Sequence, residues 1–230
     1  MSNATSRSGD SAERWLRLRQ GLPQYQVMLG QATAQGYVSD PRMIAFIAAR
    51  YKFVAKMLEG RETVLEVGCG DAFGAPIVAQ TVKQLICTDI DEETLALNQK
   101  RNLFANIDFR HRDFRRRSLF SLPQFDAIYL VDVIEHIYTH EIHEFIDNLC
   151  GLLHDKRGVL LVGTPNKTAE QYASPNSRHG HVNLQTHQSL KEMLRLKFHN
   201  VFMFGQNDEV VHTGYAPMCQ YLWGMGVGPR

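Results

Sequence analysis

The sequence lacks the features of a membrane protein, of a protein held together by a structural zinc site, and of a strongly charged protein. No apolar run approaches the ~20 residues that a transmembrane helix needs, and the N-terminal residues are polar. The 25 Lys and Arg residues nearly balance the 24 Asp and Glu residues, which disfavours a broad nucleic-acid or membrane surface. The four cysteines form no CxxC pair and no zinc-like spacing. We therefore expect a reduced, cytoplasmic protein with no membrane partner.

The length and the absence of repeats or linkers favour a single domain. A chain of 230 residues can bury a large core without disulfides. We predict a disordered segment at 1–12, N-terminal helices packed on the core at 13–60, a ligand-binding domain at 61–223 and a loose tail at 224–230.

From residue 63 onward, short apolar segments alternate with amphipathic ones. Apolar stretches such as "TVLEV", "QLICTDI" and "GVLLVGTPN" predict buried strands, and the segments between them show helical spacing. This alternation is typical of an α/β, Rossmann-like fold with a mainly parallel sheet and helices on both faces. The earlier helical pattern adds an N-terminal helical segment.

A glycine turn follows the first predicted strand in "VLEVGCGDAFG". Gly68 and Gly70 let the backbone approach a ligand closely at the start of a helix. The third glycine of a dinucleotide fingerprint is replaced by Phe73, which disfavours NAD or FAD. Asp89 ends the second strand, 19 positions after Gly70, where a carboxylate can accept hydrogen bonds from ribose hydroxyls.

Residues 63–166 resemble the class I S-adenosylmethionine-dependent methyltransferases. The resemblance implies a seven-stranded sheet and makes 61–223 the domain that binds S-adenosylmethionine. It also implies one role for each residue that matches the family pattern. Glu66 would orient the first loop, Gly68 and Gly70 would contact the methionine part, Asp89 would bind the ribose, and Ile90, Asp113 and Phe114 would surround the adenine. Ala72 stands where many members have glycine.

The stretch "YLVDVIEHI" ends an apolar run in titratable side chains. Asp132, Glu135 and His136 have the spacing i, i+3, i+4, which places them on one face of a helical turn beginning near Asp132. Three interpretations remain open from the residues alone. In the first, Asp132 caps the turn and local hydrogen bonds hold His136. In the second, His136 is a general base, and in the third, the three side chains bind a divalent cation.

The element "DVIEH" is similar to one in ubiquinone-biosynthesis O-methyltransferases and small-RNA 2′-O-methyltransferases. That resemblance implies a divalent cation such as Mg or Mn that contacts the acceptor hydroxyl. A further histidine is implied after "GTPN", offered here by His179 or His181. We take the metal ligands as Asp132, Glu135, His136 and His181, and the catalytic residues as Glu135, His136 and His181.

These patterns predict an O-methyltransferase acting on a hydroxyl of a small metabolite, such as a sugar, a phosphorylated group or a phenol. The arginine-rich run at 110–117 is either a solvated loop or a contact for an anionic substrate. Segment 172–187 is predicted as a loop, and segment 204–218 places polar residues just after a strand. We expect both to form walls of the acceptor pocket, although Asp208, Glu209 and His212 could equally be ordinary surface residues. The alternatives are an RNA 2′-O-methyltransferase, a non-catalytic cofactor-binding subunit, and an aminopropyltransferase, whose acidic polyamine pocket we do not find.

Overall fold

The computed structural model describes residues 10–116, 122–173 and 175–230, and its centre is one eight-stranded sheet. The strand order is β3-β2-β1-β4-β5-β8-β6-β7. Strands β1 to β5 pair in parallel, and β8 is antiparallel to both β5 and β6. The strands are β1 (Thr63–Val67), β2 (Gln84–Asp89), β3 (Ile107–His111), β4 (Ala127–Val131), β5 (Val159–Pro165), β6 (Phe198–Asn207), β7 (Val210–His212) and β8 (Tyr221–Pro229).

Helices cover both faces of this sheet, as the alternating pattern predicts. One apolar cluster joins α3, α4 and α5 to one face, and a second joins α6 and α8 to the other. Neighbouring residues of a strand therefore enter opposite clusters, as Val64 and Leu65 do. The helices are α1 (Ser11–Gln20), α2 (Gln31–Ser39), α3 (Met43–Met57), α4 (Ala75–Ala79), α5 (Glu92–Arg101), α6 (Ile142–Cys150), α7 (Pro175–Gly180) and α8 (His187–Arg195).

The predicted loose tail at 224–230 is wrong, because β8 pairs with a neighbour on each side. The glycines that suggested a tail are needed for packing. A Cβ at Gly224 would lie 2.6 Å from Leu194, and one at Gly226 would lie 2.4 Å from the Phe198 ring. Glycine at these positions lets α8 and β6 approach the strand closely.

The predicted count of seven strands is one too few. The extra strand, β7, is a short edge strand paired with the end of β6 through Gly205 and His212. It lies within segment 204–218, which the sequence analysis expects to form a wall of the acceptor pocket. The predicted loop at 172–187 likewise contains α7.

The N-terminal helical segment packs only in part. Helix α3 buries Tyr51, Val54 and Ala55, whereas α1 has no buried residue. The predicted disorder at 1–12 falls mostly on residues 1–9, which lie outside the described residues, and α1 already begins at Ser11. None of the helices described here is long and apolar enough to cross a membrane.

Candidate active site

A cavity of about 330 Å³ opens at the carboxyl ends of β1, β2 and β4. This edge is where open α/β sheets bind their ligands. The cavity is lined by most of the residues that the sequence singled out for the cofactor and by part of the acid–histidine cluster. They are Gly68, Gly70, Asp89, Ile90, Asp113, Phe114, Asp132 and His136.

The glycine turn is shaped by backbone angles that favour glycine. Gly68 has φ +72° and Gly70 has φ +51°, both in the left-handed region. A Cβ at Gly68 would lie 2.5 Å from a Val133 methyl group, so this position also has no room for a side chain. Ala72 adopts φ +54°, which gives a physical reason why glycine suits that position.

Asp89 connects the glycine turn to the second strand. One carboxylate oxygen accepts the Gly70 N–H at 2.8 Å, and the other accepts the Asp91 N–H at 3.0 Å. Asp91 in turn caps α5 by accepting N–H bonds from Glu93 and Thr94. The Asp89 carboxylate is therefore held in the cavity wall by backbone donors.

Asp113 and Phe114 lie on the far wall of the same cavity. Asp113 accepts hydrogen bonds from the Arg115 side chain at 2.9 and 2.8 Å, and this guanidinium lowers the pKa of its carboxyl. Arg110 is paired with Asp108 at 2.7 Å. Two arginines of the predicted basic run are thus neutralised locally, while Arg117 lies outside the described residues.

Glu66 lies beneath the loop and is almost completely buried. Its carboxylate accepts hydrogen bonds from the Tyr51 hydroxyl at 2.8 Å and the Cys87 thiol at 3.3 Å. The loop N–H groups of Gly68 and Cys69 donate instead to the Thr88 carbonyl. The described residues show no hydrogen bond from the Glu66 side chain to the loop, and its role in orienting the loop stays a prediction. Burial raises the pKa of this carboxyl.

Asp132 does not begin a helical turn. It has φ +58°, and the 3-10 helix that follows spans Ile134–His136. The Oδ2 atom of Asp132 forms an ion pair with Arg50 of α3 at 2.6 Å. The Arg50 guanidinium stacks on Tyr221, 4.0 Å from the centre of its ring. The shared helical face predicted for Asp132 is therefore wrong.

Glu135 is fully buried beside the end of β5. One carboxylate oxygen accepts the Thr164 hydroxyl at 2.9 Å, while the other, Oε1, has no hydrogen-bond partner among the described residues. Burial, together with the charge of Asp132, raises the pKa of Glu135 to about 8. A buried carboxyl with a free oxygen is well placed to bind a cation or hold a proton.

His136 and His181 complete the cluster. Their ring centres are 5.2 Å apart, and ligand atoms of Glu135, His136 and His181 all lie within 4.8 Å of one another. His136 Nδ1 lies 2.9 Å from the Gly180 carbonyl, which can only accept, so Nδ1 carries the hydrogen of this bond, and Nε2 has no hydrogen-bond partner among the described residues. Burial and the neighbouring His136 lower the pKa of His181. Asp132 and His179 are not members of this cluster.

The sequence analysis does not predict three side-chain hydrogen bonds of the site. Arg50 reaches Asp132 over 82 positions, Tyr51 reaches Glu66, and Thr164 reaches Glu135. Thr164 alone had a usable signal, since it is a polar residue at the carboxyl end of a strand next to β4. Arg50 and Tyr51 lie in an amphipathic helix whose pattern does not reveal the partner.

Comparison with protein families identifies the chain. Residues 40–196 match the profile of the "Methyltransferase domain" family, which is more than half of the sequence. The chain belongs to this methyltransferase family. The matched region contains the glycine turn, Asp89 and the acid–histidine cluster up to His181.

Curated relatives of the methyltransferase are similar over part of their length. A probable S-adenosylmethionine-dependent methyltransferase of Mycolicibacterium smegmatis is 30% identical over 146 residues, which cover 64% of this chain and 54% of that protein. A probable S-adenosylmethionine-dependent methyltransferase of Mycobacterium tuberculosis H37Rv is 30% identical over 125 residues, covering 51% and 42%. The chain thus spans about half the length of these relatives.

A solved methyltransferase structure has the same fold. N-methyltransferase NodS from Bradyrhizobium japonicum WM9 superposes with a TM-score of 0.60 at 15% identity, covering 83% of this chain and 98% of that one. NodS in complex with S-adenosyl-l-homocysteine gives a TM-score of 0.59 at 16% identity, covering 80% and 86%. At this identity the likeness shows the fold alone.

Proposed function

We propose that the protein is an S-adenosylmethionine-dependent methyltransferase that methylates a hydroxyl group of a small acceptor, such as a sugar, a phosphorylated group or a phenol. One juxtaposition carries this proposal. The cavity beside Gly70 and Asp89 extends to His136, which belongs to the cluster with Glu135 and His181. Family membership and the names of the relatives support methyl transfer with this cofactor.

The cavity residues fit a nucleoside with a charged tail. Gly68 and Gly70 leave space for close contact, and the Asp89 carboxylate can accept hydrogen bonds from ribose hydroxyls. Ile90, Asp113 and Phe114 provide the apolar and polar walls for the adenine. When bound, S-adenosylmethionine supplies a methyl group on a positively charged sulfur.

The cluster of Glu135, His136 and His181 fits a divalent cation such as Mg or Mn. The free, buried Oε1 of Glu135 lacks a partner among the described residues, and a cation would provide one. His136 donates Nδ1–H to the Gly180 carbonyl, the arrangement that orients metal-binding histidines in many proteins. When bound, such a cation lowers the pKa of a hydroxyl that it contacts.

The chain's own groups can also take the proton from the acceptor hydroxyl. The Nε2 of His136 has no hydrogen-bond partner among the described residues, and His136 lines the cofactor cavity, so this nitrogen can accept a proton from a hydroxyl bound there. Thr164 holds Glu135 by donating its hydroxyl hydrogen, which fixes that carboxylate next to His136. General-base catalysis by His136 is the alternative to the cation.

Cofactor binding is tested by titrating the protein with S-adenosylhomocysteine in a calorimeter. We expect one site per chain, competitive with S-adenosylmethionine. The absence of both heat and competition at millimolar ligand would rule out the proposed function.

The cation is tested by titrating Mn²⁺ into chelator-treated wild-type protein and two histidine variants. His181→Ala is expected to weaken Mn²⁺ binding by about tenfold or more, because it removes one of three ligands. His179→Ala is the matched control, since His179 is exposed and outside the cluster. Equal affinities for all three proteins would show that the cluster does not bind the metal.

A further inference from the structure

A surface groove follows β5, and the proposed function does not use it. It lies between two 3-10 helices, Lys167–Tyr172 after β5 and Ala216–Met218 before β8. We call it the β5–β8 groove. It consists of two depressions of about 440 and 620 Å³ that share Thr168 and Gln171.

The walls of the β5–β8 groove are fastened together. The Thr168 hydroxyl donates to the Pro217 carbonyl at 2.9 Å, across the two 3-10 helices. The buried Asn166 side chain donates to the carbonyls of Ala216 and Cys219 at 2.9 and 2.8 Å. The groove therefore has a preformed shape, which lowers the entropy cost of binding.

One end of the groove lies beside the proposed reaction centre. Arg178, which lines the groove, is on α7, and the last residue of that helix, Gly180, accepts the hydrogen bond from His136. Glu170 lines the same depression. A ligand in the groove could thus extend to the cluster.

The groove offers exposed apolar faces together with uncharged hydrogen-bonding groups. Tyr172 is 79% exposed and Met218 is 76% exposed. Between them lie the side-chain amides of Gln171, Asn207 and Gln220. Asn207 Oδ1 accepts the Gln220 N–H at 2.8 Å, which orients its amide group.

This mixture suits a neutral sugar chain. A pyranose ring has an apolar C–H face that can stack on an aromatic ring, and edge hydroxyls that both donate and accept hydrogen bonds, as amides do. The charged lining groups, Lys167, Glu170 and Arg178, leave a net charge of only +1. A nucleic-acid strand would need several unopposed cations along its phosphates.

We propose that the β5–β8 groove binds the sugar units of a neutral oligosaccharide acceptor that lie beyond the hydroxyl to be methylated. This inference rests on the proposed function, because it extends the same acceptor away from the cluster. It narrows the acceptor from any small hydroxyl compound to a polymeric or oligomeric carbohydrate.

The experiment is a binding screen of the full chain saturated with S-adenosylhomocysteine. The probes are an array of neutral gluco-, manno- and galacto-oligosaccharides of one to eight units, with decameric poly(A) RNA as a competitor class. We expect affinity to rise with length over the first few units and then to level off, because the groove is finite. No binding to any neutral oligosaccharide, or preference for RNA, would overturn the proposal.

Two tyrosine variants test whether the oligosaccharide binds in the β5–β8 groove. Tyr172→Ala is expected to reduce oligosaccharide affinity about five- to tenfold through loss of ring stacking. Tyr25→Ala is the matched control, since Tyr25 is 77% exposed and lies outside the groove. Equal affinities of Tyr172→Ala and wild type, with unchanged melting temperatures, would overturn the proposal. Oligosaccharide binding without any S-adenosylhomocysteine binding would instead refute the proposed function alone.

Discussion

At the residue scale, Asp89 is the most direct test of the cavity. Its carboxylate accepts the Gly70 N–H in the described structure and faces the space proposed for the ribose. Asp89→Ala is expected to weaken S-adenosylhomocysteine binding about 10- to 100-fold, the usual value of hydrogen bonds to a charged group. Calorimetry on this variant and on Glu93→Gln, an exposed control, checks it. Equal affinities would show that the ribose lies elsewhere.

The buried Glu66 predicts a pH dependence of stability. Because burial raises its pKa in the folded state, this carboxyl keeps its proton at pH values where the unfolded chain has lost it. The folded protein therefore binds more protons, and Glu66 makes stability fall as the pH rises from its unfolded pKa to its folded pKa.

Glu66→Gln is expected to remove this part of the slope, which is at most about 1.4 kcal/mol per pH unit. Urea unfolding of the ligand-free protein between pH 5 and 8 measures it. The control is Glu93→Gln, which removes an exposed carboxyl. A slope that is the same in both variants and wild type would mean that Glu66 is ionised in the folded protein.

The sequence predicted which polar residues gather at the site better than it predicted their bonds. Spacing along the chain was enough to bring Gly68, Asp89 and His136 into one cavity, because parallel strands end at the same edge. It could not show that Arg50 binds Asp132 or that Tyr51 binds Glu66, since these contacts depend on how α3 crosses the sheet.

At the element scale, β8 shows how packing can override composition. The sequence predicts β1, β2, β4 and β5 because these strands are buried on both faces and rich in branched apolar residues. Strand β8 contains Gly224, Gly226 and Gly228, which lower strand propensity and suggested a tail. Its strand conformation is explained by pairing on both sides and by the close approach of α8, neither of which is local information.

Two glycine substitutions separate the effect of close packing from the effect of backbone propensity. Gly224→Ala is expected to lower the melting temperature, with a loss of about 1–3 kcal/mol, because its Cβ would lie 2.6 Å from Leu194 and 3.2 Å from Leu190. Gly36→Ala in α2 is expected to raise it slightly, since no atom of the described residues lies within 4 Å of that Cβ and alanine favours a helix. Thermal unfolding compares them, and equal shifts would contradict the packing role of Gly224.

At the scale of the whole molecule, the part of the N-terminal segment before α3 is hydrogen-bonded to the glycine turn through Thr33, in addition to the contacts that Arg50 and Tyr51 of α3 make with the site. Asp71, in the glycine turn, accepts hydrogen bonds from the Thr33 N–H at 2.8 Å and the Thr33 hydroxyl at 2.7 Å. Thr33 is the buried residue of α2, whereas α1 buries none and leaves Trp15 and Leu18 exposed. Within this segment, α2 is therefore bonded to the glycine turn, whereas α1 contains no buried residue.

Two truncations test this division. Removal of residues 1–21 is expected to change the melting temperature and S-adenosylhomocysteine affinity little, because α1 contains no buried residue. Removal of residues 1–39 deletes Thr33 and leaves the Asp71 carboxylate without these donors, so the turn should loosen and affinity should fall several-fold. Thr33→Val in the full chain separates loss of the hydroxyl bond from loss of the helix. If the shorter truncation weakened binding as much as the longer one, α1 rather than the Thr33–Asp71 contact would support the cofactor site.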